Sequence, residues 1–528
     1  MKILRSLNIT FSLCFSLATL IRAQETIRED ELVVRVHSVG QGNCITINFH
    51  NKVMMVDCGT SSIKNESLVR KDLVKDAVKK LQEEEEGKKK GKGKKKEASK
   101  RERTSVESPS DLFERIAKLD RDRVNSGEPE LKAKVFKDQC CREINQVLLK
   151  YSPQDKSDPG LKRIKTILLT HGDTDHTNLL TTVVKKKYKI NNFILGGMPE
   201  EYDLDEKWID YHLKLKGFKL YIPALSFKAF GETWSWTQII ALSKELREKN
   251  GLAPQAYSFP KGSIRIRTQY LAADFEGYSI KELEKAFNFG GKFQVYLLSI
   301  NSAHFQGAPL SLEDDKTSIL RVNEDPNTDS LVLKIIHTPS NLSVMLTGDA
   351  TGQTTDRIYN NYQRFLPTEE FKDFLQADIY LAAHHGSITH GSNHEDWIKN
   401  VVKPQVVFIS NGLSQGHPYK QAFQIFKGSP NMKTGVQEHK VDYAIHKKEQ
   451  ASTSKSFTYK TYMTKAAIFS TVNNGLLEAR FSSQEGILNI GDQEEKIPPI
   501  MISKDIPNAS VQAPPSPQKL SSKKKKGK

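Results

Sequence analysis

The most chemically loaded stretch of the chain is Thr170-His171-Gly172-Asp173-Thr174-Asp175-His176, which gathers two imidazoles and two carboxylates in a single turn. The spacing His-x-Asp-x-Asp-His points alternate side chains one way and leaves Asp175 and His176 astride the start of a helix. Nitrogen and oxygen donors can then be divided between two cations, whereas a structural zinc site more typically closes one tetrahedron with Cys and His. A solvated loop of helix-capping residues before Asn178-Leu179-Leu180 is the plain alternative. Four further strand ends carry donors: Asp57, Asp349, the pair His384 and His385, and His417. Each taken singly reads as a turn residue, but their recurrence points to a metal-centred hydrolytic site, where two cations need roughly six to eight donors on rigid elements.

The elements that must position these donors are short apolar runs ending abruptly in polar clusters. Ile164 to Leu169 reads as a buried strand delivering His171. Leu32 to Val39, Cys44 to Phe49 and Lys52 to Val56 read as three strands, the first two joined by Gly40-Gln41-Gly42-Asn43 and the third ending at Asp57-Cys58-Gly59. Ser330 to Ile336 and Ser343 to Leu346 form a pair that stops at Thr347-Gly348-Asp349, where the glycine lets the backbone approach an ion closely. Ala377 to Ala383 runs into His384-His385-Gly386, and Val406 to Ser410 precedes Gly416-His417-Pro418 and a helix from Gln421 to Lys427. Leu179 to Lys187 reads as a helix, Phe193 to Leu195 and Phe293 to Ile300 as strands, and Ala466 to Val472 and Ile487 to Ile490 as edge strands. His37 reads as a packed or surface residue rather than a ligand, and His304 as an outside candidate for the site.

The chain has 528 residues and a net charge of +16, but the basicity is peripheral. Residues 83–96 supply +3, the tail 519–528 supplies +6 and Lys2, Arg5 and Arg22 supply +3, leaving +4 for the body. A basic nucleic-acid platform is therefore not required of the fold. Residues 1–23 read as a secretory signal, with Lys2 and Arg5 before a short apolar run and Ala23 at the cut; a retained membrane anchor is the alternative. No later segment is apolar enough to span a bilayer. Five cysteines in so long a chain do not make a disulfide framework. Asn65, Asn341 and Asn508 fit the glycosylation pattern. A helix over Leu68 to Glu86 dissolves into the lysines of 87–96, where like charges disfavour packing. Leu112 to Leu119 and Val135 to Leu149 read as helices of an insertion spanning 82–160. From 496 to 528 a disordered basic tail is expected.

Val39-Gly40-Gln41-Gly42-Asn43, Val56-Asp57-Cys58-Gly59, His171-x-Asp173-x-Asp175-His176, Leu346-Thr347-Gly348-Asp349, His384-His385-Gly386-Ser387 and Gly416-His417-Pro418 follow one another in that order. As an ordered set they resemble the metallo-β-lactamase-fold hydrolases, and within them the ComEC-type extracellular hydrolase domain of DNA-uptake proteins. The resemblance implies an α+β fold, an αββα sandwich over 31–495 with large helical and low-complexity insertions. It implies two divalent metal ions, with zinc favoured and manganese or magnesium as alternatives because Asp173 stands where many relatives carry a second His. Among the implied ligands His171 binds the first metal, Asp175 and His176 the second, Asp349 bridges, and one of His384 and His385, with His384 preferred, completes the set. Asp57 orients the ligand loop. Asp175 or Asp349 holds the attacking water, and His417 contacts substrate or donates a proton at the entrance.

The chemistry these features favour is in-line hydrolysis of a phosphodiester by a secreted, nuclease-like enzyme, with the cations stabilising entering and leaving oxygens. The Lys-rich segments would then hold nucleic acid or another polyanion with steep salt dependence. Two alternatives stand beside it: a hydrolase of a small ester, lactone or phosphoester, and a non-catalytic polyanion-binding protein that retains the fold.

Overall fold

A computed structural model describes residues 27–61, 69–91, 118–126, 130–222, 228–249, 287, 290, 292–299, 326–365, 370–413, 415–446, 457–483, 485–491 and 497–504. The signal or anchor at 1–23, the lysines beyond 91, most of Leu112 to Leu119, Asn65, His304, Asn508 and the tail beyond 504 lie outside the described residues.

Among the described residues eighteen strands make up the sheets: β1 (Leu32–Val36), β2 (Cys44–Phe49), β3 (Lys52–Cys58), β4 (Lys162–Leu169), β5 (Tyr188–Leu195), β6 (Lys219–Ile222), β7 (Lys228–Phe230), β8 (Phe293–Ser299), β9 (Val332–His337), β10 (Leu342–Leu346), β11 (Ile379–Leu381), β12 (Val406–Ile409), β13 (His439–His446), β14 (Phe457–Thr464), β15 (Ile468–Ser470), β16 (Leu477–Phe481), β17 (Gly486–Ile490) and β18 (Ile497–Ile502). Ten of them form one mixed sheet in the order β18-β17-β16-β1-β2-β3-β4-β5-β6-β7. Six form a second mixed sheet, β15-β12-β11-β10-β9-β8, and β13 and β14 pair as a separate hairpin. The chain is thus mixed α/β, with parallel pairing at β3·β4·β5·β6 and β10·β11·β12·β15.

The period-2 alternation of a strand splits the apolar residues between two cores. Leu32, Val34 and Val36 with Ile45, Ile47 and Phe49 face the second sheet in one cluster, and Phe49 meets Phe293 of that sheet with ring centroids 4.5 Å apart. Val53, Met55, Ile164 and Ile167 face the other way. There they pack under helices α1 (Lys71–Gly91) and α2 (Leu131–Tyr151). α2 buries Leu131, Val135, Phe136, Cys140, Ile144 and Leu148, a single stripe at helical spacing, so this part of the expected insertion covers the outer face of the first sheet. On the far side of the second sheet, α4 (Gly352–Phe365) and α5 (Lys420–Lys427) contribute Ile358, Tyr362, Phe423 and Phe426; α3 (Thr174–Thr177) lies at the site. Among the described residues no helix is long and apolar enough to cross a membrane.

Four expectations are corrected. The first helix continues past Glu86 to Gly91; the sequence places Glu84, Glu85 and Glu86 four positions ahead of Lys88, Lys89 and Lys90, a spacing that favours helix. The tail beginning at 496 starts instead with β18, which pairs with β17 through a bulge at Leu488/Ile490. Pro498 and Pro499 are tolerated because β18 is the sheet's edge, and Ile487 to Ile490 is correspondingly an interior strand. The helix expected over Leu179 to Lys187 is one turn, Leu180–Val183, and β5 begins at Tyr188.

Candidate metal centre

Parallel neighbours β3 and β4 end side by side, so Asp57 and the turn after Leu169 meet. Asp57 accepts hydrogen bonds from the Thr170 backbone N–H (2.7 Å) and its hydroxyl, and its Oδ2 lies 2.8 Å from His176 Nδ1. Its backbone is left-handed (φ 54°), a conformation Asp adopts more readily than most residues. The next residues must lie almost against α3: a Cβ on Gly59 would come within 2.5 Å of His176 N. The Gly40–Asn43 turn closes over the same helix, with Asn43 N–H donating to Asp175 O and Asn43 Nδ2 to Asp57.

The second sheet brings its donors from β10 and β11. Gly348 has φ +52°, and a Cβ there would clash with Thr170 Oγ1 at 2.7 Å, so this glycine lets Asp349 reach the first sheet's turn. Ser330 Oγ accepts from Asp349 N–H (3.1 Å) and lies 3.4 Å from His171 Nδ1. After β11 three consecutive residues are left-handed: His384 (φ 49°), His385 (φ 54°) and Gly386 (φ +83°). Asn393 holds this turn, accepting from Ala383 N–H and donating to Ala383 O and Ser387 O. His385 Nδ1 donates to Ser410 O at 2.6 Å.

The donors converge. His176 Nε2 is 3.1 Å from Asp349 Oδ1, and His385 Nε2 is 3.3 Å from Asp175 Oδ2 and 3.7 Å from Asp349 Oδ2. His384 Nε2 is 3.7 Å from Asp349 Oδ2, and the His171 and His176 ring centroids are 4.1 Å apart. Two donor groups, His171-His176-Asp349 and Asp175-His176-His385, each lie within 4.8 Å and could hold metal ions. It is His385, rather than the preferred His384, that joins such a group. Asp173 stands outside both, half-exposed, 3.6 Å from His171 Nε2. His417 lies beyond His384, ring centroids 5.5 Å apart.

The Nε2 atoms of His171, His176 and His385 are buried and turned toward the carboxylates, those of His176 and His385 lying 3.1 Å from Asp349 and 3.3 Å from Asp175 without a well-aligned hydrogen bond, while the opposite ring nitrogen of each is held by Thr170, Asp57 or Ser410. A side chain whose Nδ1 is anchored and whose buried Nε2 faces a carboxylate without a well-aligned hydrogen bond is arranged as a metal ligand, since a poorly satisfied buried polar atom is otherwise costly. The residues present therefore fit divalent cations. Electrostatics agree: burial opposes the charge on His176, but Asp349 and Asp57 overcome it and raise its pKa well above the usual value. Burial likewise opposes the Asp349 charge, yet His176, His385 and His384 hold that carboxyl well below its ordinary range. Burial opposes the charge on Asp175 too, but the bond to His385 together with the His176 and His385 charges brings its pKa down to about 2. A cation entering among such groups displaces protons.

No protein-family model and no curated protein sequence matches this chain. Its chemistry rests on the residues themselves. Ser330, Asn393 and Ser410 went unseen in the sequence because each acts through a loop contact that no local spacing announces. Of the packed and surface readings of His37 the structure shows the packed one, its Nε2 2.9 Å from Thr46 Oγ1.

Proposed function

We propose that the chain is a metal-dependent hydrolase of the metallo-β-lactamase fold, an αββα sandwich resembling the ComEC-type extracellular hydrolase domain, and that it cleaves phosphodiesters. The observation that carries this reading is the convergence of His171, His176, His385, Asp175 and Asp349, with three buried Nε2 atoms turned toward carboxylates. Bound divalent cations would supply Lewis acidity and lower the pKa of water.

The chain's own residues divide the work. One Nε2 lone pair serves one cation, so His176 can belong to only one of the two donor groups. Asp349 resolves the sharing: its Oδ1 faces His176 and its Oδ2 faces His384 and His385, which suits a bridging carboxylate. His171 and His176 would hold one cation, Asp175 and His385 the other. The mixed imidazole and carboxylate set favours zinc, with manganese or magnesium as alternatives. Asp57 fixes the His176 tautomer through Nδ1. Burial, followed by His384 and His385, pushes the His417 pKa well below the usual value, so this imidazole is neutral and suited to orienting a substrate oxygen. That favours substrate contact over a resting proton donor.

The apolar segment behind Lys2 and Arg5 supports export, with an N-terminal anchor as the alternative. The Lys-rich segments support contact with nucleic acid or another polyanion. The modest +4 charge of the remaining chain instead favours the second reading, a small ester, lactone or phosphoester substrate. The test is to measure bound metal in the purified chain and assay single-stranded DNA, bis(p-nitrophenyl) phosphate and a lactone, with and without Asp175→Ala. Metal-dependent phosphodiester cleavage lost in Asp175→Ala is expected. DNA cleavage surviving that substitution would remove the site, and turnover of the lactone alone would select the second reading.

A further inference from the structure

From the metal centre a row of rings runs outward along the β13–β14 hairpin. His384 neighbours His417 (centroids 5.5 Å apart), and His417 stacks on Tyr419 (5.4 Å). Tyr419 stacks nearly parallel on His446 (3.8 Å, 14°). His446 meets Phe457 at 5.5 Å, and Phe457 meets Tyr459 at 5.5 Å. The row begins with His384 Nε2 3.7 Å from Asp349 Oδ2, so its inner end is at the donor cluster. Tyr419, His446, Phe457 and Tyr459 are only half-buried, although each is large and ring-bearing.

Pairing across the hairpin sets His446 opposite Phe457 and Ala444 opposite Tyr459, on one face. Val441 and Tyr443 alternate to the other face, where Tyr443 stacks on Phe423 of α5. The hairpin thus has its own apolar anchorage on α5, and the ring-bearing face is not needed to supply it. Charge near the rings favours an anion: Lys440, on the ring-bearing face, and Lys420, beside Tyr419, are both exposed, whereas Lys460 pairs with Tyr443 on the other face. Asp442, the one carboxylate of β13 and β14, is occupied by Thr461 Oγ1 and Asn473 Nδ2.

We propose that this row is a stacking lane for unpaired nucleobases, which makes single-stranded nucleic acid the substrate class of the site. Every base has a π-face that an aromatic side chain can cover, and lysines beside such rings neutralise the backbone. A duplex offers no free base faces to half-buried rings, so the lane discriminates between single and double strands. This identification rests on the hydrolase reading above for the scissile step, but the lane's binding can be measured without turnover.

Some of these rings also hold the His417 loop: Tyr459 Oη donates to His417 O (3.5 Å) and His446 Nε2 lies 3.0 Å from Gly416 O. The test must separate stacking from that support. Binding of a short fluorescent oligothymidylate to the full chain is measured in chelator and at high salt, where phosphate contacts and the lysine segments fade. Phe457→Leu keeps apolar bulk but loses the π-face and should weaken binding about 5- to 100-fold. Phe457→Trp should restore it, which a variant that merely unfolds the hairpin cannot do, and a matched duplex should bind more weakly than the single strand. Unchanged affinity in Phe457→Leu, no rescue by Trp, or equal competition by duplex or heparin would overturn the lane. If single-strand binding behaves as expected while the chain cleaves no phosphodiester with added metal, the lane stands and the hydrolase reading falls.

Discussion

The two sheets deliver their candidate metal-binding side chains by different means. On the first, the turn from Thr170 to His176 keeps ordinary backbone angles and is fastened by side chains, with Asp57 gripping Thr170 and His176 together. On the second, His384, His385 and Gly386 are consecutive left-handed residues, each non-glycine one costing roughly 1–3 kcal/mol. That strain persists because Asn393, Ser410 and the neighbouring Pro418 over-determine the turn. The side-chain network leaves the 170–176 turn itself undistorted and confines the left-handed backbone to its anchor Asp57, whereas the second turn carries it at the two adjacent imidazoles that face one carboxylate, Asp349.

If strain is what the second turn stores, releasing its clamp should produce the largest effect. Asn393→Ala removes the partners of Ala383 N–H and O, of Ser387 O and of Tyr380 Oη, all buried. With about 1–3 kcal/mol for each unsatisfied buried group, partly relieved by relaxation, the expected loss is about 3–5 kcal/mol in denaturant unfolding. A loss below 1 kcal/mol would mean that the 384–386 turn needs no clamp.

Metal should join what the two turns hold apart. A cation that binds only the folded chain stabilises it by about 2.7 kcal/mol at a free concentration 100 times its Kd. Thermal unfolding of chelator-treated protein, titrated with zinc and then manganese, reads this directly. An unshifted transition with both ions would remove the centre from both turns at once.

Asp57→Asn addresses the first turn alone. Asparagine tolerates the left-handed backbone and can still accept from Thr170 N–H, but its Oδ1 cannot serve Thr170 and His176 together with full charge. Metal affinity should fall about 10- to 100-fold, measured by calorimetric titration, with the fold retained. An equal affinity would show that Asp57 carries the turn but not the imidazole.

What the sequence made legible divides along the same line. Asp57, Asp349 and the 171–176 cluster are visible because strands end in donors beside glycines, a local pattern. The 384–386 turn is visible as a His pair, yet the aim of His385 toward Asp175 and Asp349 depends on Ser410 O, contributed 25 residues downstream. Asn393 sits in a loop with no periodicity and is found only once Ala383 and Ser387 are seen wrapped around it. β18 was hidden by Pro498 and Pro499, whose missing N–H groups matter little on an edge strand.

The smallest expected effect asks whether the two turns are separate at all. Ser330 Oγ accepts from Asp349 N–H and, with Thr170 Oγ1, flanks His171 Nδ1. Thr170 Oγ1 in turn donates to Asp57, so a chain of hydrogen-bonding contacts runs from the Asp57 carboxylate to the backbone N–H of Asp349. Ser330→Ala should cost about 1 kcal/mol in stability by freeing one buried N–H. The informative quantity is its coupling to Asp57→Asn in metal affinity, read by a double-mutant cycle. Unconnected sites add to within about 0.3–0.5 kcal/mol, and the shared contact at His171 predicts a coupling above that bound. Strict additivity would mean that each sheet builds its half of the site alone, with the cations as their only link.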